Sequence, residues 1–198
     1  ALPICVVVNG HDTAREPDAA KASLGFIPDR PFVYDKLTAG EFLGFHGGLY
    51  GIDGAGIDER VREMLNLFEL GRWEHELVES FSHGMKQRLV MSAAFLHRPQ
   101  ALAVDEPMVG LDPRGARLIK DVFRRMRERG VAILMSTHTL EVAEEMSQRI
   151  SIIQKGRIIA QGTVDEVRRL AGTHDERLTD VFLKLTGGTG LQEIDEIV

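Results

Sequence analysis

Phe81-Ser82-His83-Gly84-Met85-Lys86-Gln87-Arg88, followed further on by Leu102-Ala103-Val104-Asp105-Glu106-Pro107, is the stretch on which the reading of this chain turns. Ser82 and Gly84 open a helical pattern. A serine there can cap the helix, and backbone N–H groups at a helix start can hold a phosphate. Leu102 to Val104 has the apolar character of a short buried strand, and it ends in two adjacent carboxylates. Asp105 of such a pair can hold Mg²⁺, and Glu106 can face an attacking water. An anion site beside a metal site implies chemistry on a nucleoside triphosphate. Each motif alone also has a plainer reading, an ordinary N-cap and a solvated acidic turn. No Gly-x-x-x-x-Gly-Lys-[Ser/Thr] loop occurs in the 198 residues.

Outward from this stretch the pattern alternates between strands and helices. Upstream, Ile4 to Val8 reads as a strand closed by the Asn9-Gly10 turn. A short helix is predicted over Asp18 to Ser23. Gly25-Phe26-Ile27 reads as a strand stopped by Pro28, and Asp29 to Pro31 as a loop. From Thr38 the pattern is helical, weakened by Gly44, Gly47 and Gly48. Asp58 is expected to cap a helix whose apolar face is Val61, Met64, Leu65 and Phe68. Ser82 caps the next helix, with Leu89, Val90 and Ala93, ending near Pro99.

Downstream, Ala101 to Val104 and Val131 to Met135 read as buried strands. Between them Arg114 to Arg129 forms an amphipathic helix stopped by Gly130. A helix over Leu140 to Met146 is followed by a hairpin, Ile150–Ile153 and Arg157–Ala160 around Lys155-Gly156. Thr163 and Glu166 form a capping box. A last helix, Leu178 to Leu185, stops at Gly187-Gly188, and an acidic tail follows. The expected fold class is α/β, a mostly parallel sheet with an inserted helical subdomain. The expected divisions are 1–37, a helical subdomain over 38–98, an α/β core over 99–162 and a C-terminal part over 163–198.

Composition narrows the function classes. The net charge of −6 and a 43% apolar content fit a globular chain with a real core and argue against a dedicated nucleic-acid binder. The single cysteine, Cys5, excludes an internal disulfide framework and is expected to be a buried structural thiol. No apolar run approaches the roughly 20 residues of a spanning helix. No secretory signal is visible, and the chain is expected to be cytosolic.

Further candidates surround the opening stretch. His138, after Ser136-Thr137, can hydrogen-bond a phosphate or serve as a structural histidine at a helix start. Asp112, in Gly110-Leu111-Asp112-Pro113, can cap the following helix. Asp29 can reach a metal or act as a turn residue beside proline. His11, His46, His75, His83, His97 and His174 show no metal-ligand spacing.

In this order, these residues resemble the ATP-binding subunit of an ABC transporter, over about residues 4 to 186. Ser82-x-Gly84-x-x-Gln87-Arg88 is similar to the family signature helix, and Leu102 to Glu106 to its Walker B strand. Gly110 to Pro113 is similar to the D-loop, and Ser136-Thr137-His138 to the switch histidine. The end, Val181 to Gly188, and the Ser-x-Gly-Met signature resemble the exporter-type branch that works with a separate permease. The resemblance implies a P-loop NTPase-type core that binds ATP and Mg²⁺. Asp105 would bind the metal, with Asp29 a second candidate ligand. Glu106 would polarise water and His138 would contact the γ-phosphate. Ser82, His83 and Gly84 would serve ATP held by an opposing subunit, and Asp112 would couple the two sites.

It implies a homodimer or heterodimer of ATP-binding subunits on the inner face of the cell membrane, with a transmembrane permease as partner. The permease would meet the loop from Asp29 to Leu37, where Phe32, Val33 and Tyr34 are candidate contacts. Asp29 stands where the family has Gln, His83 where it has Gly, and Met85 where it has Gln. His83 could add a donor to phosphate or face solvent. The family's phosphate loop is absent, so the chain is expected to be an N-terminally truncated member that hydrolyses ATP negligibly alone. The strand preceding that loop is expected beside the Walker B strand, and its loss to leave apolar sheet edge and face uncovered. Two other readings stand beside this one: a soluble ABC-type ATPase, and a non-catalytic dimerisation or interaction module.

Overall fold

A computed structural model describes residues 6–52, 54–173 and 175–187. Ile4, Cys5, His174 and the acidic tail lie outside the described residues. The chain divides into two compact units, one running to Ser136 and one beginning at Thr137.

The first unit opens with a hairpin of β1 (Val7–Val8) and β2 (His11–Asp12), paired antiparallel. Asn9 and Gly10 both have positive φ, 49° and 86°, the turn whose twist suits a two-residue hairpin. Helix α1 (Pro17–Ala22) follows, with Pro17 in the first turn, where no N–H partner is needed. β3 (Leu24–Ile27), β4 (Ala101–Asp105) and β5 (Ala132–Ser136) form a parallel sheet in that order.

Three helices lie between β3 and β4. These are α2 (Ala39–Leu49), α3 (Ala55–Leu67) and α4 (His83–Phe95). Thr38 and Glu41 close a capping box on α2. The α2 glycines do not break it, and Gly47 makes room for Ile57 of α3: a Cβ there would lie 2.1 Å from Ile57 Cδ1. Asp58 does not cap α3. Gly54 stands at the N-cap, and Asp58, four residues on, lies in the first turn, where its charge suits the helix dipole. The predicted α3 face is buried: Val61, Met64, Leu65 and Phe68.

Helix α5 (Pro113–Glu128) connects β4 to β5. Ring contacts chain the helices together, Phe68 to Phe95 at 5.4 Å and Phe95 to Phe123 at 6.3 Å. One sheet face, with Ile27, Leu102 and Val104, is buried. α4 approaches it so closely that a Cβ on Gly25 would lie 2.8 Å from the Ala94 carbonyl oxygen. The other face places Phe26, Ala103 and Leu134 in register, and Phe26 and Leu134 are 59% and 77% exposed. An uncovered apolar face is thus present, as expected. The expected vacancy beside the Asp105 strand is not. β4 has β3 on one side and β5 on the other, so its hydrogen-bonding edges are both used.

The second unit contains α6 (Leu140–Met146), β6 (Ile150–Gln154), β7 (Arg157–Gly162), α7 (Val164–Leu170) and α8 (Leu178–Thr186). β6 and β7 are an antiparallel hairpin. Ile150, Ile152, Ala160, Val167, Leu178 and Val181 form its core. Arg168 ties the helices by bonding Glu144, Asp165 and the Glu176 carbonyl.

Candidate functional site: the carboxyl ends of the parallel strands

In open parallel sheets, ligands sit beyond the carboxyl ends of the strands. At that end of this sheet are Asp29, two residues past β3, then Asp105 and Glu106 of β4, and Ser136 of β5. Asp105 and Ser136 are register partners, and the Ser136 hydroxyl donates to Asp105 Oδ1 at 2.6 Å. Glu106 has φ of 46°, a conformation uncommon for a non-glycine residue. Backbone bonds hold it there: its N–H donates to the Ser136 carbonyl at 3.0 Å, and its own carbonyl accepts from Val109 at 3.2 Å. The strand therefore ends on one carboxylate, and the next residue is held in a left-handed backbone turn.

Asp29 is exposed and lies 3.9 Å from Arg30. No group of three or more metal-ligating side chains occurs among the described residues. Mg²⁺ takes one or two carboxylates together with phosphate oxygens and waters, and Asp105 is an oxygen donor of that kind.

Ser82 caps α4 as predicted, its hydroxyl accepting from Met85 N–H at 3.3 Å. Ser82 and His83 are exposed at the start of a 13-residue helix. The D-loop lies against this helix start in the same chain. A Cβ on Gly84 would be 2.9 Å from the Gly110 carbonyl oxygen, and His83 packs over Gly110. Asp112 caps α5, Oδ1 accepting from Gly115 N–H at 2.8 Å. His138 belongs to the second unit, in the loop before α6 that carries a bond from Thr139 N–H to Thr137 Oγ1.

Several residues that the sequence did not single out serve these elements. Ser136 fixes Asp105. Gln87, fully buried, donates to the Pro28 carbonyl at 3.3 Å and so ties α4 to the loop bearing Asp29. Glu69 accepts from Arg114 at 2.7 Å and faces Arg88 at 3.8 Å, bridging α4 and α5. Lys86 pairs with Asp35 at 2.6 Å and Lys36 with Glu79 at 2.5 Å. The Glu79 carboxylate, by hydrogen bond and charge, raises the Lys36 pKa. Backbone bonds from Val78 to Leu37 and from Ala39 to Glu76 complete this clip between the Asp29–Leu37 loop and the segment before Ser82. Lys86, Gln87 and Arg88 stand in the opening stretch and Ser136 in the run that ends at His138, but nothing in the sequence pointed to their partners.

Beside the clip is an aromatic ladder. Phe32 meets Tyr34 at 6.2 Å, and Tyr34 meets Phe45 at 5.5 Å. All three rings are exposed, Phe32 by 78%.

A family model described as ABC transporter matches residues 5–109. The Uncharacterized ABC transporter ATP-binding protein YthP of Bacillus subtilis is 37% identical over 169 residues, covering 85% of this chain and 72% of that protein. The Daunorubicin/doxorubicin resistance ATP-binding protein DrrA of Streptomyces peucetius is 34% identical, covering 86% of this chain and 52% of its own length. A solved structure of an ATP-binding subunit of an ABC transporter superposes with a TM-score of 0.83 at 33% identity, over 89% of this chain and 74% of that one. A dimeric ATP-binding cassette bound to ADP and Pi shares the fold, with a TM-score of 0.72 at 21% identity over 82% of this chain and 74% of that one. The chain belongs to the ATP-binding subunits of ABC transporters, a family of ATPases with the P-loop NTPase fold.

Proposed function

We propose that this chain is the energy-coupling subunit of an exporter, acting on Mg²⁺-ATP as one of a pair of ATP-binding subunits beneath a separate permease. The observation that carries it is the paired end of β4 and β5, where Ser136 bonds Asp105 and the backbone holds Glu106 at φ 46°. Non-glycine residues held in that conformation concentrate at functional sites. Asp105 would hold Mg²⁺, which supplies charge neutralisation at the phosphate oxygens. Asp29 is a further carboxylate at this end of the sheet and would reach the metal from the loop after β3. Glu106 would orient the attacking water and accept its proton. His138 would donate to the γ-phosphate. Ser82 and Gly84 would meet ATP on the opposing subunit, and Asp112 would join the two sites.

The residues present fit the metal and the terminal phosphate. They do not supply the backbone cradle and lysine that the remaining phosphates require. The exposed Phe32–Tyr34–Phe45 ladder is the surface offered to the permease. Among the described residues no helix is long and apolar enough to cross a membrane, and a place on the inner face of the cell membrane follows from the partner. Daunorubicin/doxorubicin resistance, in the name of the Streptomyces relative, makes those two compounds the first cargo to try.

The test is Glu106→Gln in a transporter whose ATP-binding subunit joins this chain to a phosphate-binding loop and its lysine. Hydrolysis should fall by a factor of about 10² or more, while ATP-dependent pairing of the subunits persists. Turnover at the unsubstituted rate would sink the proposal.

A further inference from the structure

We infer that His83 is a positioning residue for the segment Gly110–Asp112, acting by packing its ring and not by donating to phosphate. The inference rests on the proposed function only in giving Asp112 a role between two nucleotide sites.

Gly110 has φ of +75°, and a Cβ built on it would lie 2.0 Å from His83 Cδ2 and 2.6 Å from Nε2. The imidazole edge thus occupies the space that any side chain at position 110 would need. The backbone on that side is equally close, since a Cβ on Gly84 would be 2.9 Å from the Gly110 carbonyl oxygen. Among the described residues, the backbone bonds around the segment are Val109 to Glu106 at 3.2 Å, a long one from Leu111 to Met108 at 3.4 Å, and Ala116 to the Asp112 carbonyl at 2.9 Å. Regular structure resumes only where Asp112 caps α5. There Arg114 is fastened to Glu69, whose second oxygen faces Arg88 of α4. The segment is therefore held against α4 by His83, and the helix it leads into is linked to α4 through Glu69. The placement of Nε2 toward Gly110 turns one of the two ring nitrogens away from any ligand at the helix start. A segment with few backbone bonds depends on such side-chain contacts for its protection.

The test uses the full 198-residue chain without nucleotide, so its outcome is independent of the Glu106→Gln test of function. A nuclear Overhauser contact between His83 Hδ2 and a Gly110 Hα is expected. Hydrogen exchange is then followed at the amides of Val109, Gly110 and Leu111, with Leu102–Val104 as the control for general loosening. His83→Gly and His83→Asn should speed exchange at the three loop amides about tenfold and leave the strand amides unchanged. His83→Phe, which keeps a planar ring and lacks both nitrogens, should restore protection to within about twofold. The Phe and Asn variants decide the matter if the Gly variant does not fold. The inference is overturned if the Overhauser contact is missing, if loop exchange is insensitive to loss of the ring, if Asn protects and Phe does not, or if the strand amides loosen equally.

Discussion

Ser136 gives its hydroxyl hydrogen to Asp105 Oδ1 at 2.6 Å, across the last paired residues of β4 and β5. The bond holds Oδ1 of Asp105 toward β5 at the end of its strand. Residues that orient a metal ligand in this way usually matter nearly as much as the ligand.

Ser136→Ala should therefore raise the Mg²⁺ concentration for half-maximal ATP turnover about 10-fold, and Ser136→Thr should largely restore it. The check is a Mg²⁺ titration of phosphate release by the assembled transporter. An unchanged half-saturation point in the alanine variant would remove Ser136 from the site.

The 198 residues alone should release no phosphate from ATP above background, with or without Mg²⁺, because positioning of the phosphates supplies most of the catalysis and the loop that does it is not in this sequence. A Mg²⁺-dependent rate that Glu106→Gln abolishes would contradict this.

Gly25→Ala places a methyl group 2.5 Å from Leu102 Cδ2 and 2.8 Å from a backbone oxygen that cannot rotate away. Overpacking of this kind should cost about 1–3 kcal/mol, read as a lowered urea midpoint. Leu65→Ala, at a fully buried site, should cost about 2–5 kcal/mol through the cavity it leaves.

The uncovered sheet face should make the isolated chain self-associate. Phe26→Thr with Leu134→Thr places β-branched residues, which suit strands, on both strands and removes two exposed apolar groups of that face. Light scattering after size exclusion should show the double variant shifted toward monomer. Equal association of both proteins would show that this face is not responsible.

His97 gives a pH dependence. Its imidazole stacks on Tyr50 at 3.8 Å and donates from Nε2 to the Leu24 carbonyl at 3.2 Å. Burial, with Arg60 nearby, lowers its pKa, against a smaller opposing effect of the Leu24 bond. The folded chain then binds fewer protons than the unfolded chain once the pH is below the ordinary histidine value of 6.5. Stability from this group is complete above that value and is lost as the pH falls through it. His97→Phe keeps the stack and cannot titrate, so the wild-type advantage in urea midpoint should shrink between about pH 7.5 and pH 5.5. A constant difference would exclude His97 as the titrating group.

Much of this fold could be read locally. Asn9-Gly10, the Thr163–Glu166 box and Ser82 each specify a turn or helix start with nearby atoms alone, and the structure has them. Thr38 and Glu41 carried the same box signature, masked by the glycines that follow. Asp58 misled because its chemistry suits a cap, whereas the start of α3 is set by Ile57 packing against Gly47 in α2. The strand order was misread because register across a parallel sheet depends on crossovers, which leave no trace in adjacent residues. The site carboxylates were legible from their place after an apolar run. Glu69 and Ser136 were not, since their partners stand 45 and 31 residues away.

The close seat of Ala94 on Gly25 makes a fulcrum of one end of α4. Arg60 strengthens it by donating to the carbonyls of Phe95 and Leu96. The opposite end, at Ser82, is held mainly by exposed ion pairs and by Gly110. With a rise of 1.5 Å per residue the arm from Ala94 to Ser82 is about 18 Å long. A tilt of about 5° then swings Ser82 by about 1.6 Å, half the length of a hydrogen bond, for almost no movement at the sheet. Gly110 rides on the moving end. A push delivered to the loop clipped beside Lys86 would thus be amplified where the helix start faces its ligand.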